Sequence, residues 1–142
     1  MERQPICKTY PDGSKAWYLH GKLHRTVGPA LEWPNGRKAW FLDGKRHRTD
    51  GPAVEWPNGS KEWWFDDKYH RTDGPAVERV DGYKAWYLHG KLHRTDGPAA
   101  EGLNGYKAWY LDDNEVPWQM VYHRATTDEA RLSILIAALT NP

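Results

Sequence analysis

The chain of 142 residues lacks the sequence features of disulfide-bonded, membrane-spanning, nucleic-acid-binding and secreted proteins. Its one cysteine, Cys7, excludes an intrachain disulfide framework. No stretch approaches the roughly 18 consecutive apolar residues of a membrane-spanning helix. The net charge is +1, from 20 basic and 19 acidic residues, whereas nucleic-acid-binding domains usually have a basic excess. The first ten residues contain no apolar run of the kind found in secretory signals, so we expect a cytoplasmic protein.

The sequence also lacks the short motifs that accompany catalysis. It has no Gly-x-Ser-x-Gly turn, no phosphate-binding glycine loop and no His-Glu-x-x-His pair. Its paired carboxylates, Asp66-Asp67 and Asp112-Asp113, occupy turn positions, where aspartate is common for backbone reasons. We therefore predict no enzymatic activity, no cofactor and no metal site.

Aromatic residues are abundant, with nine tryptophans and eight tyrosines. Five tryptophans recur every 23 residues, and this period predicts a stacked repeat architecture: Trp17, Trp40, Trp63, Trp86 and Trp109. A lysine stands two residues before each of them. A His-Arg pair and a Gly-Pro-Ala step recur with the same period in the first four copies.

Each repeat predicts a β-hairpin. Pro34-Asn35-Gly36 suits a type I turn followed by a left-handed glycine, and if Gly36 is that bulge residue, Glu32 faces Lys38. The equivalent pairs are Glu55 with Lys61, Glu78 with Lys84 and Glu101 with Lys107, and each is predicted to form a cross-strand ion pair. The predicted fold is mainly β, an elongated single-layer antiparallel sheet of 23-residue hairpin repeats with a C-terminal capping helix. Strands are expected near 15–19, 29–33, 38–42, 52–56, 61–65, 75–79, 84–88, 98–101 and 107–111.

The extent of the 23-residue repeat predicts three segments in the chain. Residues 1–9 are an N-terminal cap or tail, residues 10–116 hold four full repeats and a decayed fifth, and residues 117–142 form a C-terminal cap with a helix over about 127–139. Thr126 as N-cap with Glu129 three residues on predicts a capping box, and Asn141-Pro142 ends the helix. The stripe of Leu132, Leu135, Ile136 and Leu139 is expected to cover the last hairpin. Alternatively the helix also pairs with a second copy in a homodimer, because Ile134, Leu135, Ile136 and Leu139 give apolar surface on more than one side.

Side-chain alternation separates two faces of the predicted sheet. The face that holds Trp40 keeps the same residue types in every repeat and is the better candidate for the core. The opposite face varies and is aromatic, which is typical of a protein contact surface. Alternatively, a twisted sheet partly buries both faces. The candidate partner-binding residues on the varying face are Trp33, Phe41, Trp56, Trp64, Tyr87 and Tyr110.

The recurring His-Arg pairs allow two interpretations. In the first they are structural, and they bond turn carbonyls and aspartates, with Asp50, Asp73 and Asp96 pairing with the arginine of an adjacent repeat. In the second they form a cationic row for an anionic ligand, such as a phospholipid headgroup, a nucleotide or a nucleic-acid backbone. That row comprises Lys22, Arg25, Lys45, Arg48, Lys68, Arg71, Lys91 and Arg94.

The pattern Asp12-Gly13-x-Lys15-x-Trp17-x-x-x-Gly21-Lys22-x-His24, with its 23-residue period, resembles the MORN repeat over about residues 10–116. The His-Arg-Thr-Asp-Gly-Pro-Ala variant is similar to a branch found in bacteria and their viruses. The resemblance implies a sheet that mediates protein contacts or dimerisation, and phospholipid binding has been proposed for such arrays. We therefore predict a non-catalytic protein-interaction module, an inhibitor or adaptor that binds a host protein. Nucleic acid and membrane are less favoured partners.

Overall fold

The computed structural model of the chain describes residues 3–140. It is mainly β, with strands paired antiparallel in hairpin order, and strands hold 31% and helices 16% of the residues. This confirms the predicted class. The chain divides into two compact units, an N-terminal unit that ends at Tyr69 and a C-terminal unit that begins at His70.

From residue 3 onward the N-terminal unit contains eleven strands, most of them only two residues long. They are β1 (Ile6–Thr9), β2 (Lys15–Leu19), β3 (Lys22–Leu23), β4 (Leu31–Glu32), β5 (Lys38–Ala39), β6 (Phe41–Leu42), β7 (Lys45–Arg46), β8 (Val54–Glu55), β9 (Lys61–Glu62), β10 (Trp64–Phe65) and β11 (Lys68–Tyr69). Strands β1, β2, β4, β5, β8 and β9 pair in that order, and β3 pairs with β2. The hairpins β6–β7 and β10–β11 form separate two-stranded ladders.

The C-terminal unit repeats this arrangement and then adds helices. Its elements are β12 (Val77–Glu78), β13 (Lys84–Ala85), β14 (Tyr87–Leu88), β15 (Lys91–Leu92), β16 (Ala100–Glu101), a 3-10 turn (Leu103–Gly105), β17 (Lys107–Ala108), β18 (Tyr110–Leu111), β19 (Asn114–Glu115), α1 (Trp118–Arg124) and α2 (Asp128–Leu139). Strands β12, β13, β16 and β17 pair in order, and β14–β15 and β18–β19 are separate hairpins.

The hairpin register agrees with the prediction. Glu32 faces Lys38 across β4 and β5, and the three equivalent Glu–Lys pairs also face each other. The predicted ion pairs do not form, because among residues 3–140 no lysine of these rungs approaches its facing glutamate within 4 Å. Each of these glutamates is bonded instead by an arginine of the same repeat.

The predicted strand 38–42 is interrupted at its tryptophan. The backbone N–H of Trp40 donates to the Ala53 carbonyl at 2.8 Å, and the Trp40 carbonyl accepts from His47 at 3.1 Å. The chain therefore changes its pairing partner at the tryptophan, from the main ladder to the next hairpin. In that hairpin Asp43 and Gly44 have φ values of 50° and 82°, the two left-handed residues of a type I′ turn.

The sheet core is made of small residues. Ala16, Ala30, Ala39 and Ala53 are each at most 2% exposed, and equivalent alanines are buried in the C-terminal unit. The tryptophan row was predicted to be buried, but Trp17, Trp40, Trp63 and Trp86 are half-buried. Only Trp109 of that row is buried, because the C-terminal helices cover it.

The C-terminal helices cover the last hairpin, as one of the two alternatives predicted. Trp109, Leu111, Val121, Ala125 and Ile134 form one buried cluster. The predicted stripe is wrong in detail, since Leu132, Ile136 and Leu139 are exposed and Ile134 is fully buried. Small side chains next to Ile134, at Ala130, Ala137 and Ala138, pack against the cluster and allow close approach.

The start of α2 also differs by one residue from the prediction. Thr127, rather than Thr126, is the N-cap, and its Oγ1 accepts from the Ala130 N–H at 3.1 Å. Helix α1 was not predicted. The expected stop at Asn141-Pro142 lies outside the described residues.

Candidate functional site

The His-Arg motif places a guanidinium over each of several tryptophans. The Cζ atom of Arg94 lies 3.8 Å from the ring centroid of Trp86. Its Nε donates to Asp96 at 2.7 Å, and its Nη1 donates to the Pro98 carbonyl and to Glu101, both at 3.1 Å. We call this arrangement the arginine clamp. It fixes the arginine by one stacking contact and three hydrogen bonds.

The clamp recurs in the other repeats with small differences. Arg48 lies 3.9 Å above Trp40 and bonds Asp50, the Pro52 carbonyl and Glu55. Arg71 makes the same hydrogen bonds to its own repeat. The predicted pairing of each aspartate with an adjacent repeat is therefore wrong, because the aspartate two residues after each arginine lies closest to it.

The glycine of the recurring Gly-Pro-Ala step packs closely against the arginine clamp. A Cβ atom added at Gly97 would lie 2.7 Å from Arg94 Cζ, and one at Gly74 would lie 2.9 Å from Arg71 Cζ. Real Cβ atoms do not approach other heavy atoms this closely. Any larger residue there would have to displace the guanidinium, which packs against the glycine backbone.

The arginine clamp of the first repeat, formed by Arg25, lacks the aspartate partner of the later repeats. Val27 stands where later repeats have aspartate, and it is exposed. Among residues 3–140, Arg25 donates hydrogen bonds only to the Pro29 carbonyl and, at 3.5 Å, to Glu32. We expect Val27→Asp to stabilise the N-terminal unit by roughly 0.2–1 kcal/mol, as an exposed ion pair does. Urea denaturation measures the gain. Val27→Asn is the control, and an equal gain from it would show that charge is not the cause.

The histidines of the motif join consecutive repeats. Nδ1 of His24 accepts from the Asp43 N–H at 3.1 Å, and Nδ1 of His93 accepts from the Asp112 N–H at 3.2 Å. Nδ1 of His70 accepts from the His89 N–H at 3.0 Å, and the two imidazole centroids are 4.5 Å apart. Each of these imidazoles therefore satisfies a backbone donor in the next turn.

The His70–His89 contact predicts a pH dependence. Burial, and then the nearby His89, lower the pKa of His70 below its ordinary value. The unfolded chain therefore binds the proton more readily, so stability is full above the ordinary histidine pKa of about 6.5 and falls as the pH drops through it. One group contributes at most about 1.4 kcal/mol per pH unit. Urea midpoints at neutral and mildly acidic pH should show a smaller decrease in His70→Asn than in the parent; equal decreases would contradict the assignment.

Open grooves lie between consecutive Arg-Thr-Asp-Gly-Pro loops within each unit. One has a volume of about 590 Å³ and lies between the loops of Arg71 and Arg94, over Trp86 and Leu88. The equivalent groove in the N-terminal unit, of about 570 Å³, lies between the loops of Arg25 and Arg48. Both are shallow, solvent-open clefts.

The charge at these loops is arranged with the acids outward. The clamped side chains of Arg25, Arg48, Arg71 and Arg94 are only 18–23% exposed. Asp50 and Asp73 are more than 80% exposed, and the hydrogen bond from the neighbouring guanidinium lowers the pKa of each. Lys22, Lys45, Lys68 and Lys91, the other members of the predicted cationic row, are exposed on the type I′ hairpins.

The aromatic candidates of the N-terminal unit are covered by the chain itself. The Arg37 guanidinium lies 4.6 Å from the Trp33 ring centroid and 3.9 Å from that of Trp56. Trp64 is buried, with Arg46 at 3.7 Å over its ring and the Tyr69 ring centroid at 3.8 Å. Phe41 is half-buried in the same cluster.

In the C-terminal unit the positions equivalent to Phe41 and Trp64 carry Tyr87 and Tyr110, whereas those equivalent to Trp33 and Trp56 carry Arg79 and Gly102. Burial, and then the charges of Tyr83 and Asp113, raise the pKa of Tyr87. The charge of Glu115, then burial and the charge of Tyr106, raise the pKa of Tyr110. Tyr83 and Tyr106 both lie within 4 Å of the position that a Cβ atom on Gly102 would take, and the charge of each also raises the pKa of Tyr110. We call Tyr83, Tyr87, Tyr106 and Tyr110 the tyrosine face. The sequence signal for Tyr83 and Tyr106 was their place directly after the turn glycines Gly82 and Gly105.

The described part of the chain also has neither a metal-binding group nor a membrane-spanning helix. Residues 3–140 contain no group of three or more His, Cys, Asp or Glu side chains placed to hold a metal ion. No helix within these residues is long and apolar enough to cross a membrane. Cys7 is exposed on β1.

In comparisons with known proteins, no family model and no curated protein matches the chain.

Proposed function

We propose that the chain is a non-catalytic protein-interaction module whose contact surface is the tyrosine face of the C-terminal unit. The observation that carries the proposal is the clustering of four tyrosines beside exposed apolar side chains. Tyr106 is 53% exposed, and Leu103, on the adjoining turn, is 66% exposed. Tyrosine is enriched in binding hot spots because its ring offers contact area and its hydroxyl a hydrogen bond.

The proposed contact surface is smaller than the set of aromatic residues predicted from the sequence. Trp33, Trp56 and Trp64 already stack on arginines of their own unit, so their rings have less area to offer a partner. Phe41 is half-buried in the same cluster as these tryptophans, so Tyr87 and Tyr110 remain from the candidate residues. The likeness to MORN repeats supports the same class of function, and an inhibitor or adaptor in the cytoplasm is the form that we propose.

The anionic-ligand alternative receives less support. The arginines of that row have their guanidinium donors bonded to carboxylates and carbonyls. The most exposed charges on the clamp loops are the aspartates. An anion would meet these carboxylates before it reached an arginine.

The test has two stages. Proteins captured from host lysate by the tagged chain are purified and titrated by calorimetry against the parent, against Tyr106→Ala/Tyr110→Ala, and against the control Lys22→Ala/Lys45→Ala. We expect the tyrosine variant to lose about 30-fold or more in affinity, as for a hot spot of about 2 kcal/mol. A thermal melt confirms that each variant is folded.

The control pair also separates the two functions. An anionic ligand held by the lysines and arginines would bind less tightly to the lysine variant, and its affinity would fall steeply with salt. Loss of affinity in the lysine variant with none in the tyrosine variant would refute the proposed surface.

The exposed stripe on α2 keeps the homodimer as a separate proposal. Leu132, Ile136 and Leu139 lie on one exposed side of the helix. Sedimentation equilibrium of the parent and of Ile136→Glu tests it, and a monomer at every concentration of the parent would refute it.

A further inference from the structure

Two places in the chain, 46 residues apart, share one backbone geometry. In the N-terminal unit, Asp67 N–H donates to the Arg46 carbonyl at 3.0 Å, and Arg46 N–H donates to Asp67 Oδ1 at 2.9 Å. In the C-terminal unit, Asp113 N–H donates to the Leu92 carbonyl at 2.9 Å, and Leu92 N–H donates to Asp113 Oδ1 at 2.7 Å. The two sites are equivalent positions that lie two 23-residue repeats apart.

The side chains at these copies differ in one respect. In the N-terminal copy, the Arg46 guanidinium stacks 3.7 Å above the Trp64 ring, and its Nε donates to Asp67 at 3.1 Å. The C-terminal copy has Tyr110 for Trp64 and Asp113 for Asp67, so an aromatic ring and a carboxylate are both present. Leu92 stands where Arg46 does and carries no charge.

The surroundings of the C-terminal copy are mainly acidic and aromatic, with a cation nearby at Arg79, whose Cζ lies 5.0 Å from the Tyr83 ring centroid and whose charge opposes the rise in the pKa of Tyr87. Asp113 and Glu115 are both exposed, and no basic side chain within residues 3–140 forms a salt bridge with either. Glu115 faces Tyr110 across β18 and β19. The charge of Asp113 also contributes to the raised pKa of Tyr87, whose residue faces Leu92 across β14 and β15.

We infer that Tyr110, Asp113 and Glu115 form a receptor site for the guanidinium of an arginine on the partner protein. The inference rests on the proposed function for the source of that arginine, and it names the chemistry that the tyrosine face recognises. The N-terminal copy is the template, because there the chain's own arginine fills the equivalent site.

Arginine fits this site better than lysine does. A planar guanidinium stacks on a ring and donates in-plane hydrogen bonds to a carboxylate at the same time. The Arg46 geometry shows both contacts made at once by one side chain. A lysine ammonium is a more strongly hydrated point charge and reproduces only the ionic part.

The probe is N-acetyl-arginine amide, titrated into the isotope-labelled full chain and followed by NMR at constant ionic strength. We expect shifts at Leu92, Tyr110 and Asp113, with a dissociation constant on the order of tens of millimolar for an exposed stack and ion pair. The neutral isostere N-acetyl-citrulline amide should produce none of these shifts, and the lysine analogue should produce smaller ones.

Two reciprocal variants sharpen the test. Leu92→Arg supplies an internal guanidinium and should abolish the shifts at Tyr110. Arg46→Leu empties the N-terminal copy and should produce a second set of shifts at Trp64 and Asp67. Asp113→Asn keeps the oxygen that accepts from Leu92 N–H and removes the charge, so it should weaken binding at least several-fold while the fold is retained.

The outcomes separate this inference from the proposed function. Equal shifts from the citrulline probe, or unchanged Tyr110 shifts in Leu92→Arg, would overturn the arginine site and leave the partner titration to be judged alone. Arginine-specific shifts in a chain that binds no purified partner would leave the site and refute the proposed function. Where a partner binds, Leu92→Arg should lower its affinity about as much as Asp113→Asn does.

Discussion

Replacing Trp109 with alanine is expected to destabilise the C-terminal unit by about 3–5 kcal/mol, the usual cost of removing a buried tryptophan. Its side chain is 9% exposed and packs with Leu111, Val121 and Ile134. The substitution removes the ring that joins the last hairpin to both helices. Since small domains have only about 5–15 kcal/mol of stability, this loss is a large share of the total.

Trp17→Ala is the matched control for that substitution. Trp17 has the same place in its repeat, but it is half-buried, and its covering contact is the Arg25 guanidinium at 3.8 Å. Urea denaturation followed by far-UV circular dichroism measures both. We expect about half the loss for Trp17→Ala, and equal losses would show that the helices add nothing to the burial of Trp109.

Gly97→Ala is the second substitution with a large expected effect. The added Cβ would displace the Arg94 guanidinium from Trp86, Asp96 and Glu101. One cation–π contact and several charged hydrogen bonds are lost together, and we expect a cost of about 2–3 kcal/mol.

A double-mutant cycle identifies the cause of that cost. The three atoms nearest to the added Cβ all belong to Arg94, and Gly97 does not have a left-handed φ. In an Arg94→Ala background, Gly97→Ala should therefore be neutral, or stabilising by about 0.4–1 kcal/mol through the unfolded chain. An undiminished cost in that background would mean that the glycine is required for a reason other than the clamp.

The period and the turn residues were sufficient to predict the hairpin register. Pro34-Asn35-Gly36 fixes the turn, and the Glu32–Lys38 pairing follows by counting. The break at the tryptophan in the second and later copies was not predictable, because side-chain alternation continues through Trp40 while its backbone changes partners. The missing lysine–glutamate ion pairs have a similar origin, since an arginine seven residues earlier in the same repeat bonds the glutamate.

The helix α2 shows why an apolar stripe can mislead. Ile134, Leu135 and Ile136 are adjacent, so several stripes fit the sequence equally well. The buried side was decided by alanines, which allow close approach but carry little hydrophobic signal. In the candidate site, Tyr87 and Tyr110 were predicted from their aromatic character. The role of Leu92 and Asp113 emerges only when residues 46 apart are compared.

The histidine bonds between repeats have a consequence for the order in which the chain folds. They connect residues only 19 positions apart, and the aspartate bonds of Arg46 and Leu92 connect residues 21 apart. Each such closure needs a short loop, whose entropic cost is small compared with that of the long connections in most β proteins. A repeat can therefore pair with its predecessor as soon as the ribosome releases it. The first repeats need not wait for the helices at the end of the chain.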